Sequence, residues 1–209
     1  MSTVAQSMKN LLFEQGGIIS EIIHLKDFYV PIRGNLRRKR SRAGSLMPDE
    51  VNEESANLIY KEIQIIDIET DFDDPRQLDW DLLIKGITLL KEEMTPFNKP
   101  VYDKFLKIRT EKTVTVLPHP VIIVVGDLLL WREELRKLFN LSVWIDTDDD
   151  VRLSRRVLKN EQMEGLARMT LSDLLKIYEE KTKPAFERFI EPTKKFADTI
   201  IPNYGFSTT

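Results

Sequence analysis

Apolar positions recur along this chain with two different periods. Residues 1–13, MSTVAQSMKNLLF, place Val4, Met8, Leu11 and Leu12 on one helical face, and Gly16-Gly17 then ends that helix. Residues 18–25, IISEIIHL, form a β-branched run that predicts a buried strand. Residues 48–61 pass from acidic to amphipathic and predict a short helix, whereas 63–68, IQIIDI, fit either a strand or a further turn of that helix. A helix over 79–93 brings Leu82, Leu83, Ile87 and Leu90 inward. After a loop at 95–99, the runs 101–106 and 113–117 predict a hairpin. Residues 121–125, VIIVV, are continuously apolar, as expected of a parallel strand covered on both faces. Leu128, Trp131, Leu135 and Leu138 mark a helix after it.

Residues 141–160, LSVWIDTDDDVRLSRRVLKN, join the two periods. A short β-prone run, 141–145, breaks on the acidic turn 146–150 and continues as a helix. In that helix Arg152, Arg155, Arg156 and Lys159 share one face, and Val151, Leu153, Val157 and Leu158 are left to anchor the rest. A cationic helix beside the carboxyl end of a strand suits a polyanion such as nucleotide phosphate. A solvated basic face, balanced by acids at the helix start, fits the same pattern. Residues 161–168 read as a polar loop. Thr170 with Asp173 reads as a capping box, opening a helix that carries Leu174, Leu175 and Tyr178 and is kinked by Pro184. Residues 199–202 form a last short strand. Strands alternating with helices predict an α/β domain with a mainly parallel sheet.

Composition narrows the function classes. The chain has 209 residues, 42% hydrophobic and 31% charged, with a formal net charge of −3. It is therefore not built to coat nucleic acid or an anionic membrane. The absence of cysteine excludes disulfides, thiolate metal sites and cysteine nucleophiles, and fits a reducing compartment. No apolar run approaches the roughly 20 residues a membrane span needs, and no signal pattern opens the chain, so a cytoplasmic protein is expected. Residues 33–42, RGNLRRKRSR, hold six cations and no acid. They read as a solvated loop or as a localisation or phosphate-binding patch. His24 reads as a core strand residue and His119, between two prolines, as part of a turn.

Several segments together resemble the uridine–cytidine kinase family of P-loop nucleoside kinases. They are Phe72-Asp73-Asp74-Pro75, Pro100-Val101-Tyr102-Asp103, Thr113-Val114-Thr115-Val116, and Asp146-Thr147-Asp148 followed by Arg152-Leu153-Ser154-Arg155-Arg156-Val157-Leu158. Lys183-Pro184-Ala185-Phe186 with Pro192-Thr193-Lys194-Lys195-Phe196-Ala197-Asp198 completes the set, in matching order and spacing over about 71–202. Residues 2–29 match more loosely, and 33–68 look like an insertion. The resemblance implies one nucleoside-kinase-like domain over 1–209, with 95–117 as a substrate-side hairpin and 159–170 as the remnant of a lid. The implied fold is a three-layer α/β/α P-loop NTPase type with a mainly parallel sheet. The implied reaction is ATP- or GTP-dependent phosphorylation of the 5′-hydroxyl of uridine or cytidine with Mg²⁺. A homo-oligomer is compatible with it, and neither nucleic acid nor membrane is expected as a partner.

Residue by residue, the resemblance puts Asp27 at the catalytic base, one place after the family's acid position, where Lys26 stands. Phe72, Asp73 and Tyr102 match positions that contact the nucleoside, and Lys107 takes the place of the family's histidine. Arg156 and Lys159 match lid cations, with Gly165 and, shifted, Arg168 beyond them. Asp127 replaces a family acid beside the metal, and Ser2 or Thr3 matches the hydroxyl on the Mg²⁺ and nucleotide side. The glycine-rich loop G-x-x-x-x-G-K-[ST] does not occur in the sequence. The chain opens as though Met1 stood at the lysine of that loop, so the first central strand of the sheet is expected to be missing. The 209 residues are therefore expected to be less than a whole natural domain. Two functional expectations follow: a pyrimidine nucleoside kinase with impaired activity, or a pseudokinase that binds nucleosides or a protein partner.

Overall fold

The computed structural model describes residues 2–30, 72–103, 108–163 and 168–203. The expected helix at 48–61, the segment 63–68, the basic run 33–42, Met1, Lys107 and Gly165 lie outside the described residues. Two compact units emerge, one of residues 2–30 with 75–140, the other of residues 72–74 with 141–203.

In the first unit, helix α1 (Ser2–Gly16) runs one turn beyond the predicted helix. It stops because Gly17 takes a left-handed φ of 62° that side chains resist. That turn lets the Gly17 and Ile18 amides donate to Phe13 and Leu12 carbonyls. Strand β1 (Ser20–His24) follows, shorter than its apolar run, then a 3₁₀ turn, Leu25–Phe28, with Leu25 and Phe28 buried. Helix α2 (Trp80–Lys91) begins where Asp79 accepts the Leu82 amide, and it buries Leu83, Gly86, Ile87 and Leu90.

The predicted hairpin is present, with different bounds. Strand β2 (Phe97–Asp103) starts inside the stretch read as a loop, and β3 (Ile108–Val116) starts well before residue 113. Phe97 is buried against Phe28 and so draws the preceding loop residues into the ladder.

Strand β4 (Val121–Val125) pairs in parallel with β1, from Ser20 opposite Val121 to His24 opposite Val125. Its residues are all half-buried rather than covered on both faces, and β1 is its only ladder partner among the described residues. Beyond it, the expected helix at 128–138 contracts to one turn, α3 (Glu133–Arg136). Leu128, Leu129, Leu130 and Leu135 are buried there from successive turns, while Trp131 faces outward.

In the second unit, β5 (Val143–Asp146) pairs in parallel with β6 (Thr199–Pro202). Helix α4 (Asp149–Glu161) follows β5 as predicted. Leu158, expected to anchor it, is 62% exposed, because the helix presents that position to solvent. Thr170 caps α5 (Leu171–Ile177) by accepting the Asp173 amide, and its hydroxyl donates to the Asp173 carboxylate, closing the expected box through the side chain. The helix then widens into π-turns, Tyr178–Thr182 and Phe186–Ile190, on either side of α6 (Lys183–Ala185). Pro184 lacks an N–H and its ring crowds the carbonyl four residues back, so a wider turn accommodates it where a regular helix cannot. Among the described residues, no helix is long and apolar enough to cross a membrane.

Candidate active site

The carboxyl ends of β1 and β4 lie side by side, which is where open α/β sheets place their ligands. Gly126 sits against Leu25 so closely that a Cβ there would overlap the leucine side chain, which keeps the two strand ends together. Past these ends stand two of the predicted acids, Asp27 and Asp127.

Asp27 lies in the 3₁₀ turn, pulled inward between Leu25 and Phe28, and only 8% of it is exposed. Its Oδ2 accepts from Lys99 Nζ at 2.7 Å, an ion pair whose side chains are 14% and 11% exposed. No hydrogen bond from the described residues reaches its Oδ1. Around this pair the hairpin is docked on the 27–30 segment. The Phe28 and Phe97 rings stack 6.3 Å apart, and those of Tyr29 and Tyr102 meet at 5.4 Å. Arg109 donates from Nη1 to Asp79 Oδ2 at 2.9 Å and from Nη2 to the Phe28 carbonyl at 3.0 Å. The backbone joins the same place, with Val30 N donating to Gln77 O and Asp79 N to Phe28 O.

Asp127 follows β4 and reaches solvent on one side. The protein crowded around it pushes its carboxyl above the ordinary range, and the amides of Asp127 and Leu128 pull it partly back. Asp127 is nonetheless exposed, so what fits it to a Mg²⁺-side role is an accessible carboxylate just past the strand ends. Among the described residues no three His, Asp or Glu side chains cluster as a preformed metal cage, but Mg²⁺ bound with a nucleotide uses only one or two protein carboxylates. Ser2 opens α1, and Thr3 is exposed in its first turn.

Phe72 and Asp73 are half-buried in the turn before Pro75, within the second unit. There the predicted phosphate-side cations separate in role. Arg152 is committed to Asp149 and lies over the Phe186 ring, 3.5 Å from its centroid. Arg155 donates to Asn203 Oδ1, and Arg156 to Thr182 Oγ1 at 3.1 Å from an exposed position. Lys159 is exposed and has no polar partner among the described residues, while Arg168 is paired with Glu161. Asp146 belongs to the scaffold. Its carboxyl is held below its usual range by Lys194, 2.8 Å away, with a smaller contribution from the Trp144 indole N–H. Structure therefore gathers Asp27 and Tyr102 with Lys99, Tyr29 and Arg109, and gathers Arg156 and Lys159 on one helix. Lys99 and Arg109 were not singled out from sequence. The alternation of Phe97-Asn98-Lys99 is the one signal that could have drawn Lys99 into a strand.

The match to known proteins follows the same segments. The model of the phosphoribulokinase / uridine kinase family fits residues 59–209. The chain belongs to that family. It is 42% identical over 137 residues to a uridine kinase of Latilactobacillus sakei, covering 66% of this chain and 63% of that protein. The chain thus spans less than two thirds of the length of the curated relatives it matches. Among solved structures it is similar to a possible uridine kinase from Bacillus stearothermophilus, with TM-score 0.51, 22% identity and coverage of 96% of this chain and 80% of that one. It is also similar to phosphoribulokinase from Rhodobacter spheroides, with TM-score 0.61, 10% identity and coverage of 96% and 66%. At these identities the structures establish the fold: this is the α/β fold of the P-loop kinases, with parallel strand pairs and a small antiparallel hairpin.

Proposed function

We propose that this family member takes a pyrimidine nucleoside, uridine or cytidine, and serves its ATP-dependent phosphorylation at the 5′-hydroxyl, in a cytoplasmic salvage reaction. The 209 residues are read as one nucleoside-kinase-like domain. The observation that carries the reading is Asp27, a buried carboxylate at the carboxyl end of a parallel strand pair, whose second oxygen takes no hydrogen bond from the described residues. Such a group suits a hydroxyl donor, and holding the hydroxyl there orients it and receives its proton as the phosphoryl group arrives. Tyr102 walls the same place, and the family match assigns Phe72, Asp73 and Lys107 to the nucleoside as well. Arg156 and Lys159 face the phosphates, with Arg168 beyond them. Asp127, with the hydroxyl of Ser2 or Thr3, would hold Mg²⁺ brought in with the nucleotide. That ion neutralises charge developing on the phosphoryl oxygens.

A second reading, nucleoside binding without transfer, is favoured by Lys26 at the family's acid position, together with Val125 and Lys107 at two further positions where the family carries other residues. Thermal melting with and without nucleoside, beside an assay for uridine monophosphate with MgATP, separates the two. Uridine or cytidine near a hundredfold over its Kd is expected to raise Tm by about 5 °C or more. A shift without product supports the second reading. No shift with either pyrimidine nucleoside and no product sinks both.

A further inference from the structure

We infer that Lys99 is the positioning residue for Asp27. The inference rests on the reading of Asp27 as the group that meets the ligand hydroxyl. Side chains alternate along a strand, so positions 97 and 99 share a face. Phe97 meets Phe28, Lys99 meets Asp27 and Tyr102 meets Tyr29, three contacts with one short segment. Lys99 is held in the ladder opposite Val114, between Phe97 and the register shift that separates Pro100 from Tyr102.

The pair itself is poorly explained by stability. Two charges withdrawn from water recover little net energy, and apolar residues of similar volume often hold a fold as well or better. What the ammonium supplies is geometry. With Oδ2 held at 2.7 Å the carboxylate plane is set, and Oδ1 is the oxygen presented to a ligand. The ladder holds Lys99 in turn, so docking of the hairpin and orientation of Asp27 become one event.

The test compares the wild-type chain with Lys99→Met and Lys99→Arg by amide hydrogen exchange without ligand and by calorimetric titration with uridine. Lys99→Met is expected to speed exchange over Leu25–Phe28 and to weaken uridine binding, each about tenfold or more, while Lys99→Arg stays within about threefold of wild type. Unchanged exchange overturns the inference. Faster exchange with unaltered affinity also overturns it, because the pair would then be only structural. If the wild-type chain binds neither uridine nor cytidine, the proposed function fails. That outcome overturns the inference as well, because faster exchange alone cannot separate positioning from a structural role. Lys99→Gln, which keeps a hydrogen-bond donor, gives the same readouts should Lys99→Met not fold.

Discussion

Asp198 shows how one carboxylate ties the second unit's strands together. Its Oδ2 accepts from the Ser142 hydroxyl at 2.6 Å and from the Ser142 amide at 2.7 Å, just before β5 and β6 begin to pair. These bonds favour the charged form and hold its carboxyl below the ordinary range, the hydroxyl contributing most. A carboxyl whose folded pKa is depressed stabilises the fold above its unfolded pKa and loses that contribution as pH falls through the folded one. Asp198→Asn is therefore expected to lower Tm at pH 7, and the difference should close progressively below about pH 4. Melting curves from pH 7 to 2 check it, and a constant difference across that range would refute the assignment. At this scale much was legible. Thr170 could be named from sequence because a cap depends on near neighbours, and Asp27 through the family resemblance. Lys99 could not, since its partner is 72 residues away.

At the scale of elements, α2 and the hairpin meet where a glycine is required. Gly86 is buried in α2, and a Cβ there would overlap the Phe97 ring. Alanine in a helix ordinarily stabilises by about 1 kcal/mol relative to glycine. Here overpacking, which typically costs about 1–3 kcal/mol, should win, so Gly86→Ala is expected to lower the urea midpoint. A raised midpoint would mean that Phe97 yields easily and that the hairpin is loosely seated. Element type followed from periodicity for α1, β1, α2, α4 and β6, each built on a local rhythm. Bounds failed where a distant surface intervened. Phe97 extended β2 by packing on Phe28, and the leucines after β4 found burial through turns rather than one long helix. The π-turns around Pro184 were foreshadowed only as a kink, because the sequence names the obstacle and not the way round it.

For the whole molecule, the proposed function divides labour between a nucleoside-side and a phosphate-side set of groups. The nucleoside-side groups are Asp27, Lys99 and Tyr102, with Phe72 and Asp73, and the phosphate-side cations are Arg156 and Lys159. Arg156→Met is expected to leave uridine affinity within about twofold while weakening the triphosphate about tenfold, as loss of one charge-assisted contact would. Titrations with each ligand check it, and equal loss for both would contradict the division.

By itself the sequence determined the family, the order of strands and helices, and the acid and cations at the heart of the proposal, because ordered motifs and periodic burial are local properties. Only the tertiary structure decided that Asp27 is shared with Lys99, that Tyr102 meets Tyr29, and that Leu158 is exposed. Those outcomes depend on strand register and on which surfaces meet, and a shift of one residue in a ladder reverses every side chain beyond it without leaving a mark in composition or periodicity.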